Sequence, residues 1–170
     1  MIERTANLLG VVSLTVAGSI EQSARDILNR AGETPAAIVV IGYGFGPSNE
    51  QLRRILGLSH PGSVRLVDRL VADGLAERRQ GDDRRSISLH LTQAGEEARE
   101  KILRGRIAAI TPFLGGLSDK DRATLDTILH RLLASMGASD LQKQSLCRLC
   151  DESVCVDCPI PADFRKDEQR

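Results

Sequence analysis

Aromatic side chains are nearly missing from this chain: its 170 residues hold three Phe, one Tyr and no Trp. That scarcity argues against a surface that captures single-stranded nucleic acid by stacking bases on rings. Net charge is missing as well, because 23 Lys and Arg balance 23 Asp and Glu. Attraction to a polyanion must then come from a local patch. Long apolar runs are absent too, none reaching the roughly 18 residues of a membrane span. The run Leu8 to Ile20, with Ala17-Gly18-Ser19 near its end, has some features of a secretory leader, but Ser13, Thr15 and Gly18 dilute it. Leu9, Val12, Val16, Ile20, Ala24 and Ile27 fit one stripe of a long helix, so the reading is a cytoplasmic protein with no membrane partner. No nucleophile–base constellation stands out, and His60, His90 and His130 sit in separate segments without triad or metal spacing, which points away from an enzyme. Cysteine is absent before residue 147.

A chain of this length can bury one good core and carry one appended segment. Its organising stretch runs from Gly46 to Leu75. Leu52, Ile55 and Leu56 line one face of a short helix over 48–56, and Gly57 stops it. Ser59 is placed to cap a second helix over 59–73, with Pro61 in the first turn, where its missing N–H costs nothing. Val64, Val67, Leu70 and Val71 give that helix an apolar face, and Gly74 ends it. Two strands follow, over 75–79 and 86–91, with Gly81 to Arg85 as the tip; Ile87, Leu89 and Leu91 alternate with Ser86, Ser88 and His90, as a half-buried strand does. Between residues 51 and 90 eight Arg stand against five acids, a net +3 that a symmetric dimer would double. Helix, turn, helix and basic hairpin is the layout of a winged DNA-binding module.

The flanks are helical. Residues 5–31 read as one long apolar helix ending near Gly32, and Thr34-Pro35 offers a cap and a start for the next. The apolar run 36–45 is ambiguous in type. It leads into Gly42-Tyr43-Gly44-Phe45-Gly46, which imitates a dinucleotide-binding glycine loop, yet the third glycine of that fingerprint falls on Pro47 and no βαβ unit follows. A buried helix ending in a glycine-rich turn is the better reading. Thr92 begins a further helix with Gln93, Glu96 and Glu97 in its first turn and Ala98, Ile102, Ile107, Ile110 and Leu114 along it, to about Gly115. Ser118 caps another, whose stripe is Leu125, Ile128, Leu129, Leu132, Leu133 and Met136. These helices carry more apolar surface than a small winged module can cover, which suggests a helical dimer interface.

Four runs carry a resemblance. They are Leu52-Arg53-Arg54-Ile55-Leu56-Gly57-Leu58-Ser59, then Val64-Arg65-Leu66-Val67-Asp68-Arg69-Leu70, then Asp73-Gly74-Leu75-Ala76-Glu77-Arg78 with Asp82-Asp83-Arg84-Arg85-Ser86-Ile87-Ser88-Leu89-His90-Leu91-Thr92-Gln93-Ala94-Gly95. Over about 34–100 the chain resembles the MarR family of bacterial transcription regulators. The resemblance implies a mainly α fold with a small β-hairpin wing: a winged helix-turn-helix domain over 34–92, flanked by dimerisation helices over 1–33 and 93–137, with the Cys-rich tail over 138–170 added. It implies that Ser59, His60, Gly62, Ser63 and Arg65 face the major groove, with Arg69 further along the same helix and Arg65 suited to a bidentate contact with guanine. Arg85 would reach the minor groove, oriented by Asp83, while Arg84, Arg78 and Arg79 serve phosphates or the hairpin itself. The start His60-Pro61-Gly62 departs from the family's usual polar pair and removes one reading side chain. The implied function is that of a homodimeric repressor on a pseudo-palindromic operator in double-stranded DNA, released by a small-molecule effector bound between the dimer helices and the winged module.

The family generally lacks what comes last. Cys147-x-x-Cys150 and Cys155-x-x-Cys158, four residues apart, form two knuckles of the kind that present a tetrahedral set of sulfurs to Zn²⁺. Four thiolates on Zn²⁺ carry net −2, which Arg148 is placed to offset. A structural Zn²⁺ is the first reading. An iron–sulfur cluster or a thiol switch is the alternative, since Cys158-Pro159 echoes ferredoxin motifs, and it would make this a regulator released by a redox or metal change at the tail; unligated thiols or disulfides are the third. If the tail were the working site, the protein would instead be a redox or metal-handling one. Beyond Ala162 the tail is charged and expected to fray.

Overall fold

The structure is a computed structural model, and residues 1–30, 32–81, 86–136, 139–155 and 157–160 are described. Its elements follow in the order α1 (Ile2–Leu28), α2 (Thr34–Ile41), α3 (Asn49–Leu56), α4 (His60–Ala72), β1 (Ala76–Gln80), β2 (Ile87–Leu91), α5 (Gln93–Leu114), α6 (Asp119–Ser135) and α7 (Asp140–Cys147). The fold is mainly α with one antiparallel two-stranded hairpin among the described residues.

The short apolar run of ambiguous type is α2, and every residue of it is buried. Its all-round hydrophobicity is what a helix at the centre of a fold requires. Around it close Leu52, Ile55 and Leu56 of α3, Leu66, Val67 and Leu70 of α4, Leu89 and Leu91 of β2, and Ala98, Ile102 and Leu103 of α5. Each fully buried Leu, Ile or Val adds roughly 1.5–3 kcal/mol to the drive for collapse. Thr34 does not cap α2 as expected: it lies within the helix, and Glu33 at the cap position makes no side-chain cap bond.

The long N-terminal helix ends earlier than the apolar pattern indicates, because Asn29 turns left-handed (φ 51°) and closes it. Asn is one of the few residues whose short polar side chain tolerates that conformation. α1 packs along α5, but none of its residues is buried, and Leu8, Leu9, Val11, Val12 and Leu14 are all exposed. α6 likewise buries no residue and exposes Ile128, Leu129 and Leu132.

In the hairpin, Ala76 pairs with Leu91 and Gln80 with Ile87. The expected alternation holds at Leu89 and Leu91 and fails at Ile87, which is 57% exposed. Ile87 stands at the outer end of the ladder opposite Gln80, past the edge of the core. β2 is held on its other side as well, the Leu89 amide donating to the Pro47 carbonyl at 2.9 Å.

The tail contains an element that the cysteine spacing concealed. α7 begins with a Ser139–Gln142 capping box, packs against α3, and delivers Cys147 to the main core, which Ile160 also joins. Residues beyond Ile160, for which fraying was expected, lie outside the described residues. Among the described residues no helix is long and apolar enough to cross a membrane.

Candidate nucleic-acid interface

Two capped helices and a fixed turn aim α4. Ser48 accepts from the Gln51 amide at 3.1 Å while the Gln51 side chain accepts from the Ser48 amide at 2.7 Å, closing a capping box at the start of α3. Gly57 ends α3 in the left-handed region (φ 65°), and the Leu58 amide returns to the Arg53 carbonyl at 2.9 Å. Arg53 braces this turn by donating to the Leu58 carbonyl at 3.3 Å. Its guanidinium also grips Glu50 at 2.8 and 2.6 Å, and Arg54 reaches the same carboxylate at 3.2 Å. The Arg53 hydrogen bonds, seconded by Arg54, hold the Glu50 carboxyl down to about 2 from its ordinary 4.5, and the Glu50 carboxylate pushes Arg53 up in turn. Ser59 then caps α4 by accepting from the Gly62 amide at 3.2 Å.

The phase of α4 differs from the expected one. Ser63, Leu66, Val67 and Leu70 face inward, whereas Val64, expected on the apolar face, is 36% exposed. Ser63 is therefore not on the outer surface with the other candidate reading residues. It is fully buried; its hydroxyl donates to the His60 carbonyl at 3.0 Å and accepts from Asn49 Nδ2 at 3.2 Å. The physical reason is helical periodicity: positions 63, 66, 67 and 70 form an i, i+3, i+4, i+7 stripe, and Leu66 outweighs Val64 in choosing it. A Ser inside such a stripe, with Asn49 opposite to satisfy it, is what the sequence reading missed, and the regular spacing from Leu66 back to Ser63 was the available signal.

What α4 does present outward is Ser59, His60, Pro61, Val64, Arg65, Asp68 and Arg69, with Gly62 half-buried in the first turn. Arg65 and Arg69 have no ion-pair partner among the described residues. Arg78 on β1 is different: it reaches back to Asp68 of α4 at 2.5 Å and so ties hairpin to helix. Arg79 pairs with its strand neighbour Glu77 at 2.5 Å. The Gly81 amide donates to the Ser86 carbonyl at 2.9 Å, closing the ladder. Asp83, Arg84 and Arg85 lie outside the described residues.

The Thr92–Gly95 entry explains itself in geometry. Thr92 Oγ1 donates to the Gly74 carbonyl at 2.6 Å and accepts from the Gly95 amide at 3.1 Å. The Thr92 amide takes the Leu75 carbonyl at 3.1 Å. One residue thus caps α5 and fastens the end of α4 to it.

In the tail, the Cys150 amide donates to the Cys147 carbonyl at 2.8 Å, making the first knuckle a tight turn. The Tyr43 hydroxyl sits against this turn, 2.7 Å from the Cys147 carbonyl and 3.0 Å from that of Cys150. Burial raises the Tyr43 hydroxyl well above its ordinary range, the Cys150 thiol adding to the effect. Burial likewise pushes Cys147 up to about 11 and raises Cys150 and Cys155. All four cysteines are free of disulfides. Among the described residues no three His, Cys, Asp or Glu side chains are already arranged to hold a metal ion.

A model described as MarR family matches residues 34–86, from the start of α2 to the approach of β2. A protein of Thauera aromatica called a putative transcriptional regulatory protein for the hcr operon is 31% identical over 118 residues, 67% of this chain and 71% of that one. The transcriptional repressor MprA of Escherichia coli (strain K12) is 31% identical over 87 residues, 51% of this chain and 49% of its own. Among solved structures, Streptococcus pneumoniae FabT in complex with DNA superposes with a TM-score of 0.64 at 22% identity, over 78% of this chain and 94% of FabT.

Proposed function

Because the chain belongs to the MarR family, whose members are DNA-binding transcription regulators and not enzymes, we propose that it is a homodimeric repressor that reads a pseudo-palindromic operator. The exposed face of α4 carries this reading: Val64, Arg65 and Arg69 project from a helix whose caps, turn and hairpin tie leave it one orientation. Arg65 is suited to guanine O6 and N7, and Val64 to a thymine methyl, in the major groove. Arg69 serves a phosphate. Arg85, by the family pattern, enters the minor groove beside it. A repressor among the relatives supports the sign of the effect.

The second copy would cover the exposed apolar stripes of α1 and α6, placing two α4 helices about one DNA turn apart. The effector would occupy a cavity of about 290 Å³ bounded by α1, α2, α5 and the first Cys knuckle. Arg25, Arg30, Arg106 and Arg148 line it against Glu21 and Glu33, so an anionic small molecule is the class it favours.

Fluorescence anisotropy on operator-length duplexes tests the reading. Replacing Arg65 by Ala should cost about 1–3 kcal/mol per half-site and relax preference at one base position. Unchanged affinity and unchanged preference in that variant would remove α4 as the reading head.

A further inference from the structure

The tail is seated on the body at several points. Cys147 and Ile160 are buried in the common core, and Leu149, Cys150 and Cys158 pack against it. Between the first two cysteines the chain makes one tight turn, the Cys150 amide donating to the Cys147 carbonyl at 2.8 Å. The Tyr43 hydroxyl, from the α2–α3 connection, meets the carbonyls at both ends of that turn at 2.7 and 3.0 Å. The two residues held inside it, Arg148 and Leu149, line the cavity of about 290 Å³ bounded by α1, α2 and α5. Their backbone is fixed before a ligand arrives, which spares the ordering cost that a loose loop would add to binding.

Charge inside this cavity is unevenly committed. Glu21 is answered by Arg25, its neighbour on α1, at 3.7 Å. Arg30 turns to Asp73 at the end of α4, at 2.7 Å. Arg106 makes no ion pair among the described residues. Arg148 reaches Glu33 only at 3.9 Å, with both side chains 39% exposed, and a pair so long and so wet holds weakly. Nη1 of Arg148 donates to the Ser145 carbonyl at 2.6 Å, which steadies the side chain and leaves Nη2 unspent among the described residues. Two guanidiniums, one from α5 and one from the tail, therefore remain to take an anion. Beside them Ile20, Ala24, Pro35, Ile102 and Leu149 supply an apolar lining.

We propose that the tail is a ligand-binding wall: Arg148, together with Arg106, takes the charged group of an amphipathic organic anion, a carboxylate or sulfonate on an apolar body, and Leu149 meets that body. A guanidinium offers such a group a fork of parallel donors, which an ammonium does not. Glu33 is the competitor, holding Arg148 until the charge of the ligand replaces its own. Because the turn that carries Arg148 is fastened by Tyr43 and continues α7, which packs against α3, an occupied cavity also steadies the helix that backs α4. The inference rests on the reading of this cavity as the effector site, and adds to it the residues of the tail.

The test titrates the full chain with anilinonaphthalenesulfonate, an amphipathic anion whose fluorescence reports its own binding, and with phenylnaphthylamine, the same body without the charge. Arg148→Ala should weaken the sulfonate by roughly fivefold or more and leave the uncharged probe unchanged, while Arg148→Lys should recover only part of the loss. Glu33→Gln should tighten the sulfonate by about two- to fivefold, and most of that gain should be lost in the Arg148→Ala background. Saturating sulfonate should also slow amide exchange over residues 140–150 in the parent by roughly threefold or more; if Arg148→Ala does not fold, this measurement decides. A parent that does not bind the sulfonate would overturn the effector reading of the cavity and this inference with it. A parent that binds it, with affinity indifferent to Arg148→Ala or exchange over 140–150 unmoved, would overturn the role of the tail alone.

Discussion

A Cβ on Gly95 would lie 2.0 Å from the Leu75 carbonyl oxygen. That oxygen cannot withdraw, because the Thr92 amide holds it. Gly95→Ala should therefore destabilise the protein by about 1–3 kcal/mol, seen as a lower denaturant midpoint with an unchanged slope. A fall of less than a few tenths would mean that the turn after α4 is looser than its hydrogen bonds indicate. Glu50 gives a second residue-level expectation. Its carboxyl is depressed in the folded chain, so its contribution to stability is complete above the ordinary 4.5 and disappears as pH falls through about 2. Side-chain NMR should find Glu50 titrating near 2, and Arg53→Ala should move that titration upward.

Elements were legible where pattern and packing agree. The starts read at Ser59, Thr92 and Ser118 all cap helices in the structure, each accepting from an amide three residues on. Misreadings arose where a single side chain was judged without its partner. Ser63 looks like a surface residue until Asn49 is placed across from it, and Ile87 looks like a core residue until the ladder is seen to outrun the core. The α7 helix was not expected, because the tail's pattern carries meaning mainly in the spacing of its cysteines, and only the first of them falls at the helix end. For α1 and α6 the sequence already indicated unmet apolar surface, and the fold leaves it exposed. Leu129→Glu should leave the fold intact, since Leu129 is 45% exposed in the single chain, but should weaken self-association at least roughly tenfold by sedimentation if α6 lies in the dimer. An association constant equal to the parent's would place the interface elsewhere.

At the scale of the molecule, a net charge of zero means that affinity for DNA depends on where few cations stand. Arg69 should count among them as a phosphate contact. Arg69→Ala in a dimer should lower the slope of log affinity against log salt by about 2, one for each copy, with base preference unchanged. A change of preference would instead assign Arg69 to a base.

The position of Cys147 and Ile160 in the common core has a consequence for synthesis. At about 5–20 residues per second, the ribosome adds Ile160 roughly 3–11 s after Leu103, the last α5 residue of that core. Through that interval α2, α3, α4 and α5 exist as a growing chain whose centre is still open to water on the α3 side. A truncation after α6 would fix that interval permanently: α4 would be complete, yet it would rest on a core with one wall unbuilt. Proteolysis in the cell would then distinguish finished from unfinished copies by a segment far in sequence from α4.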